Sequence, residues 1–273
     1  MSKPRKYGLG GDPSEATRLE SQAASYANIL TQEFKLLNLK PKMKVLDAGC
    51  GSGAITRMMA KIVHPETVVG MDIDPVFIDE ARKIAKSNGV ENIRFDIGNI
   101  DKMEYGDEAF DLTYCRLVLM HVNDPVRTVS EMKRVTKKDG FVAASDNEDD
   151  LMTGYPDAPA FWSLWKKYGE RQARKGTNRH IGRELYSIFV RAGLSSISVH
   201  PMPIFATAVN PEAVKGLISV PVNILESVKG RMIGEGDASG EDFDKMHEEI
   251  ELLSKDRGAF CMGGSFLAIG KVT

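Results

Sequence analysis

Cysteine is scarce in this 273-residue sequence: three residues, an odd number, at positions 50, 115 and 261. Cysteines so few and so far apart form neither a disulfide framework nor the paired spacing of a zinc cluster. No metal is therefore expected, and a reducing, cytoplasmic setting is. No apolar run reaches the roughly 20 residues that cross a bilayer. Charge is balanced to a formal net of −2, which removes any whole-chain attraction to nucleic acid or anionic lipid. The opening MSKPRKYGLGGD is charged and lacks an apolar core, so no secretory signal peptide is expected. No internal repeat or low-complexity tract is present. What remains, 42% hydrophobic and 27% charged, is an ordinary globular composition. Its length suits one large domain, or one domain with a sizeable insertion.

What the sequence does contain is MKVLDAGCGSGAITR at residues 43–57. Lys44–Ala48 reads as a short buried strand, and Gly49, Gly51 and Gly53 follow at alternate positions. Ala54, Ile55, Met58, Met59 and Ile62 then recur at helical spacing. A strand that turns through glycines into a helix leaves backbone N–H groups bare at the helix start, where a ligand can lie against the main chain. Gly49-x-Gly51-x-x-Ala54 formally satisfies the dinucleotide fingerprint. Asp47 argues against that reading, because a carboxylate beside the first glycine repels a pyrophosphate. It suits a ligand with positive charge there, such as the ammonium and sulfonium of S-adenosylmethionine.

The rest of the first half repeats the pattern of strand, then helix. Thr67–Asp72 is the next apolar strand, and Asp72 follows Gly53 by about twenty residues, where a ribose-binding carboxylate is expected. Asp74-Pro75, like Asp12-Pro13 and Asp124-Pro125, reads as a helix cap followed by proline in the first turn. Further strands are expected over Asn92–Ile97, Phe110–Cys115 and Phe141–Ser145, with Lys137–Gly140 as a turn. Leu19, Ala23, Ala27, Leu30, Phe34 and Leu37 form a helical stripe near the start. Strands alternating with helices predict a doubly wound parallel α/β sheet, with ligands at the carboxyl ends of its strands. Asp47, Asp72, Asn99, Cys115 and Asp146 all fall at such ends. Later, Pro156–Lys175 and Ile181–Ala192 read as helices and Ser196–Val199 as a strand. Residues 210–258 read as an insertion of about two helices, the first opened by Asn210-Pro211, and Cys261–Val272 as the last strand.

With these residues placed, the chain resembles a class I S-adenosylmethionine-dependent methyltransferase, most similar to the ubiquinone/menaquinone and natural-product branch. The resemblance rests on VLDAGCGSG (45–53), GMDIDP (70–75), FDIGNID (95–101), FDLTYCRLVLMHVNDP (110–125) and KKDGFVAASD (137–146). It implies a Rossmann-like, mostly parallel seven-stranded sheet with helices on both faces and helical cap segments at both ends of the chain. The expected organisation is an amino-terminal arm with cap helices (1–40) and a cofactor-binding core (41–204) with an insertion near 147–182. A helical substrate cap (205–260) and a final core strand (261–273) complete it.

By the same resemblance, S-adenosyl-L-methionine is the cofactor and S-adenosyl-L-homocysteine its product. Asp47, Gly49, Cys50, Gly51 and Gly53 surround its methionine and ribose parts, and Asp72 holds the ribose hydroxyls. Ile73 covers an adenine face, with Gly98, Asn99 and Ile100 around the adenine. Asparagine stands at 99 where aspartate is common, and accepts only through a neutral carbonyl. Cys115, Arg116 and His121 match the cofactor-side wall after the fourth strand, and Tyr7 and Gln22 match residues that close over the cofactor. Methyl transfer is an SN2 displacement whose main demand is in-line positioning, with a base needed only for a protonated acceptor. The candidate bases are His121, Tyr155 and His180, with Glu148 beside them. The expected acceptor is a small, partly hydrophobic molecule rather than nucleic acid, and a homodimer stays open. An RNA or protein methyltransferase, or a non-catalytic S-adenosylmethionine-binding protein, are the alternatives.

Overall fold

The computed structural model describes residues 18–20, 23 and 26–273. Tyr7, Gln22 and the expected helix start at Asp12-Pro13 lie outside the described residues. The elements, in chain order, begin α1 (Ala27–Leu36), β1 (Val45–Ala48), α2 (Ala54–Val63), β2 (Val68–Asp72), α3 (Pro75–Ser87) and β3 (Ile93–Ile97). They continue β4 (Phe110–Arg116), α4 (Pro125–Val135), β5 (Thr136–Asn147), β6 (Thr153–Tyr155), α5 (Pro159–Arg174) and α6 (Leu185–Arg191). The last are β7 (Ser195–Thr207), α7 (Pro211–Gly234), α8 (Gly240–Lys255) and β8 (Phe260–Lys271).

These residues divide into two units. The first takes in the chain as far as Asn147, with Ile181–Met202 and Phe266–Thr273; the second comprises Glu148–His180 and Pro203–Ser265. In the first unit the strand order is β3-β2-β1-β4-β5-β8, with β7 paired to β8. The pairs β1–β2, β1–β4, β2–β3 and β4–β5 are all parallel, as the alternation of strands and helices predicts. All four residues of β1 are buried, which explains its nearly unbroken apolar run: a parallel strand has both faces covered. One continuous core joins Leu46, Met71 and Val142 of the strands to Val129 and Met132 of α4 and Phe189 of α6.

Asp74-Pro75, Asp124-Pro125 and Asn210-Pro211 do open helices. The side chains of Asp74, Asp124 and Asn210 accept from the backbone N–H groups of Val76, Arg127 and Ala213, with proline at the start of each helix. Satisfying these otherwise orphaned donors is what fixes the starting points. Residues 137–140 are part of β5 rather than a separate turn. The β4 ladder passes from Thr136 directly to Phe141, so the turn chemistry is absorbed as an outward bulge.

The second unit has its own core, in which Phe161, Leu164 and Trp165 of α5 meet Val214, Ile218 and Leu225 of α7 and Phe243 and Met246 of α8. It also holds a strand that the sequence does not predict. β6, Thr153–Tyr155, pairs antiparallel with Phe260–Met262 and brings the sheet to eight strands. Three residues are too few to display an alternating pattern. Among the described residues no helix is long and apolar enough to cross a membrane.

Candidate functional site

The polar residues of the first unit gather where the parallel strands end. The turn after β1 runs through Gly49, Gly51 and Gly53 with φ of +83°, +53° and +75°, a region that L side chains enter only with strain. Packing requires glycine at two of these positions as well. A Cβ on Gly49 would stand 2.5 Å from Cγ2 of Val118, and one on Gly53 would stand 2.6 Å from Cζ of Phe95. The backbone N–H groups of Gly49 and Cys50 donate to the Met71 carbonyl at 2.6 and 2.9 Å. That of Gly51 donates to Oδ2 of Asp72 at 2.9 Å. The end of β2 therefore shapes the glycine turn. Helix α2 then starts from Gly53 without any side-chain cap, leaving its positive dipole end open at the turn.

A clamp that the sequence reading did not identify holds the turn from outside. Glu20 accepts from the Ser52 hydroxyl at 2.7 Å and from Nη2 of Arg57 at 2.5 Å, while Nη1 of Arg57 donates to the Ser52 carbonyl. The helical spacing around residue 20 carries no signal of this, because the partners lie 32 and 37 residues away.

Asp47 is buried, 2% exposed, and among the described residues takes one side-chain hydrogen bond, from the Thr56 hydroxyl to Oδ2 at 2.6 Å. Burial pushes its carboxyl up to about 7 against the bond from Thr56, and the charge of nearby Asp72 pushes the same way. Asp72 is also raised by burial, offset by the N–H groups of Asp74 and Gly51. Each of its oxygens accepts one backbone N–H, at 3.0 Å from Asp74 and 2.9 Å from Gly51, which leaves lone pairs on both for a ligand. Ile73 beside it is 41% exposed for an apolar residue. The Asp72 charge disfavours ionisation of the buried Asp47, so a positive charge beside the pair is favoured.

The loops after β3 and β4 complete this edge. Gly98 passes so close to Met71 that a Cβ would meet its sulfur at 2.6 Å. Oδ1 of Asn99 accepts from the backbone N–H of Asp101 at 2.9 Å, closing a local turn that holds Ile100 between them. Cys50 is half-buried, its thiol pushed well up by burial and then by Asp47 and Asp72. Cys115 is fully enclosed in the apolar core, so it can offer a ligand only its main chain. The guanidinium of Arg116 is directed at protein: Nε lies 3.6 Å from Oε1 of Glu33, and the group stacks 5.0 Å from the Tyr26 ring. Glu33 itself is wholly buried and accepts from the hydroxyls of Tyr114 and Ser145 at 2.5 and 2.7 Å. A signal for Glu33 was available: it is the one charge on the stripe of Leu30, Phe34 and Leu37.

His121 ends a short 3-10 turn, Leu119–His121. The turn is anchored by Asp146 at the end of β5, whose Oδ2 accepts from the Met120 N–H at 3.2 Å. Burial pushes the Asp146 carboxyl up to about 6, against its backbone hydrogen bonds. Of the residues named from sequence, those from Asp47 to His121 thus come together in the first unit. Tyr155, 64% exposed on β6, and His180 belong to the second.

Comparison with known proteins agrees with this geometry. Residues 39–193 match the family model of a methyltransferase domain. A methyltransferase of Schizosaccharomyces pombe is 32% identical over 178 residues, 61% of this chain and 62% of that one. The match therefore spans about three fifths of that relative's length. The demethylmenaquinone methyltransferase of Bacillus pumilus is 28% identical over 181 residues, 62% of this chain and 77% of its own. Among solved structures, YcgJ of Bacillus subtilis superposes with a TM-score of 0.58 at 21% identity, covering 90% of this chain and 99% of that one. A glycine turn, a carboxylate at the end of the next strand and a parallel sheet are the features shared with the class I methyltransferase fold. The chain belongs to the methyltransferase-domain family, whose cofactor is S-adenosylmethionine.

Proposed function

We propose that the first unit binds S-adenosylmethionine at the carboxyl edge of β1–β4 and that the chain transfers the methyl group to a small, partly apolar acceptor. The observation that carries this reading is Asp47: a buried carboxylate with one hydroxyl donor and no cation beside it among the described residues. A cationic cofactor fits that donor set, whereas a dinucleotide pyrophosphate would add like charge to it. The cofactor brings a methyl carbon already activated by its sulfonium. The chain's own part is to hold and orient it.

Asp72 accepts from the ribose hydroxyls with its remaining lone pairs, Ile73 covers the adenine, and the second lone pair of Asn99 Oδ1 takes the adenine amino group. His121, standing on its Asp146-anchored turn, receives the proton of an acceptor that still carries one. Relatives named for the methylation of demethylmenaquinone, a small and largely apolar molecule, support the acceptor class.

Thermal unfolding with S-adenosylmethionine, S-adenosylhomocysteine, NAD and NADP tests the cofactor. A ligand at a hundred times its Kd adds about 2.7 kcal/mol, so the first two should raise the melting temperature and the last two should not. A shift with NAD alone overturns the reading. Mass spectrometry of extracts incubated with methyl-labelled cofactor tests the acceptor: label in small molecules supports it. Label confined to RNA or protein, or tight binding with no product, replaces it with one of the alternatives.

A further inference from the structure

Scarce cysteine excludes a thiolate metal site, and the sequence spacing offers no other. The fold of the second unit nevertheless brings two carboxylates and an imidazole together. Nδ1 of His180 stands 3.1 Å from Oε1 of Glu148 and 3.6 Å from Oδ1 of Asp150. The three ligand atoms lie within 4.8 Å of one another. Ligands about 2.0–2.2 Å from a tetrahedral ion are separated from each other by roughly 3.3–3.6 Å, close to the two nitrogen–oxygen distances here. We propose that Glu148, Asp150 and His180 hold one divalent transition-metal ion of the zinc and cobalt type, a site independent of the methyl-transfer reading.

The donor set fits that class. One imidazole and two carboxylates offer nitrogen and anionic oxygen in the combination that suits Zn²⁺ and its first-row neighbours, while Ca²⁺ and Mg²⁺ prefer all-oxygen surroundings. Two carboxylates also supply the charge that a dication neutralises. Glu148 is 3% exposed and forms the floor of the cluster, whereas the side chains of His180 and Asp150 are 47% and 65% exposed. An ion can therefore enter from solvent, and three protein ligands leave a fourth position for water.

The flanking residues hold the two ligand-bearing segments against each other without help from an ion. Asp149, between the two acidic ligands, takes Arg179, next to His180, in a bidentate pair at 2.6 and 2.9 Å. The Asp149 N–H donates to the Arg179 carbonyl at 3.2 Å. The Arg179 guanidinium in turn lies against two neighbouring aromatic rings, 4.7 Å from Trp165 and 5.2 Å from Tyr168. Outer contacts of this kind fix ligand orientation in advance, which raises metal affinity. An internal comparison is available in His247, which faces only Glu226, at 2.9 Å; among the described residues no other cluster has three such ligands.

The test is calorimetric titration of Zn²⁺ and, separately, Co²⁺ into the chelator-treated full chain, with the visible absorption of Co²⁺ as a second readout. One equivalent should bind, and the same ion should raise the melting temperature. His180→Ala and Asp150→Asn, both at exposed positions, should each weaken binding at least tenfold while the unliganded melting temperature is unchanged. His247→Ala should leave binding as it is. Absence of binding at 100-fold molar excess overturns the proposal. So does one equivalent that survives both His180→Ala and Asp150→Asn.

Discussion

Two buried carboxylates in the first unit stand in opposite situations. Glu33, on α1, has both oxygens occupied by the hydroxyls of Tyr114 and Ser145 and the Arg116 guanidinium 3.6 Å away. Asp47, on β1, has one hydroxyl donor, and its nearest charged influence is a second carboxylate, Asp72. Burying a charge is costly unless it is paired and hydrogen-bonded. Around Glu33 the chain supplies two hydroxyl donors and a cation, although the buried Nε of Arg116 makes an ion pair there and no hydrogen bond. Around Asp47 the described residues supply one hydroxyl donor and no cation. Degree of burial does not separate structure from function here. The sign of the charge beside each carboxylate, among the described residues, distinguishes them.

The sharpest way to break this contrast is Glu33→Ala. Removing one partner of a buried pair typically costs about 3–5 kcal/mol, because Arg116 loses its counter-charge and two hydroxyls lose their acceptor. Denaturant unfolding should register a loss of that size, and a change below about 1 kcal/mol would mean that the Glu33 set is not a structural tie.

The pH dependence comes next. The Asp47 carboxyl at about 7 lies above its ordinary 3.8, so the fold favours its protonated form. That stabilisation is complete below about pH 4 and is lost as pH rises through 7. At about 1.4 kcal/mol per unit, its full span is roughly 4 kcal/mol at most. Asp47→Asn should therefore match the parent near pH 4 and be the more stable protein at pH 8, while binding S-adenosylmethionine less tightly. A stability difference that does not vary with pH removes the argument for a neutral, waiting carboxyl. Asp146, at about 6, acts in the same direction, which is why the difference between variant and parent, and not the parent alone, is the quantity to follow.

Asp72→Ala should remove two charge-assisted bonds to ribose, each worth about 1.5–3 kcal/mol. Cofactor affinity should fall by one to two orders of magnitude at least, at about 1.4 kcal/mol per decade. The smallest effect is expected two residues on. Asp74 caps α3 through the Val76 N–H at 2.9 Å, so Asp74→Ala should cost about 1 kcal/mol of stability and leave binding nearly intact. If calorimetry finds the two variants reversed, Asp72 is not the ribose carboxylate.

Local chemistry made much of this legible. Asp47 and the three glycines belong to the strand and turn that they define, and Asp72 ends the next strand of the repeating strand–helix pattern. The helix starts at Asp74-Pro75, Asp124-Pro125 and Asn210-Pro211 were readable for the same reason, since a cap and its donor lie within three residues of each other. Strand β6 was not, because a three-residue strand is defined by its partner at Phe260–Met262 and not by any pattern of its own.

By itself the sequence determined the doubly wound parallel core and the carboxylate-flanked glycine turn. These follow from apolar periodicity and from backbone chemistry acting over a few residues. Only the tertiary structure decided that glycine at 49 and 53 makes room for Val118 and Phe95, and that Arg116 turns to Glu33. It alone placed His180 beside Glu148 and Asp150. Each of those contacts joins residues tens of positions apart, and such pairs meet only after the chain has closed its loops and buried its core.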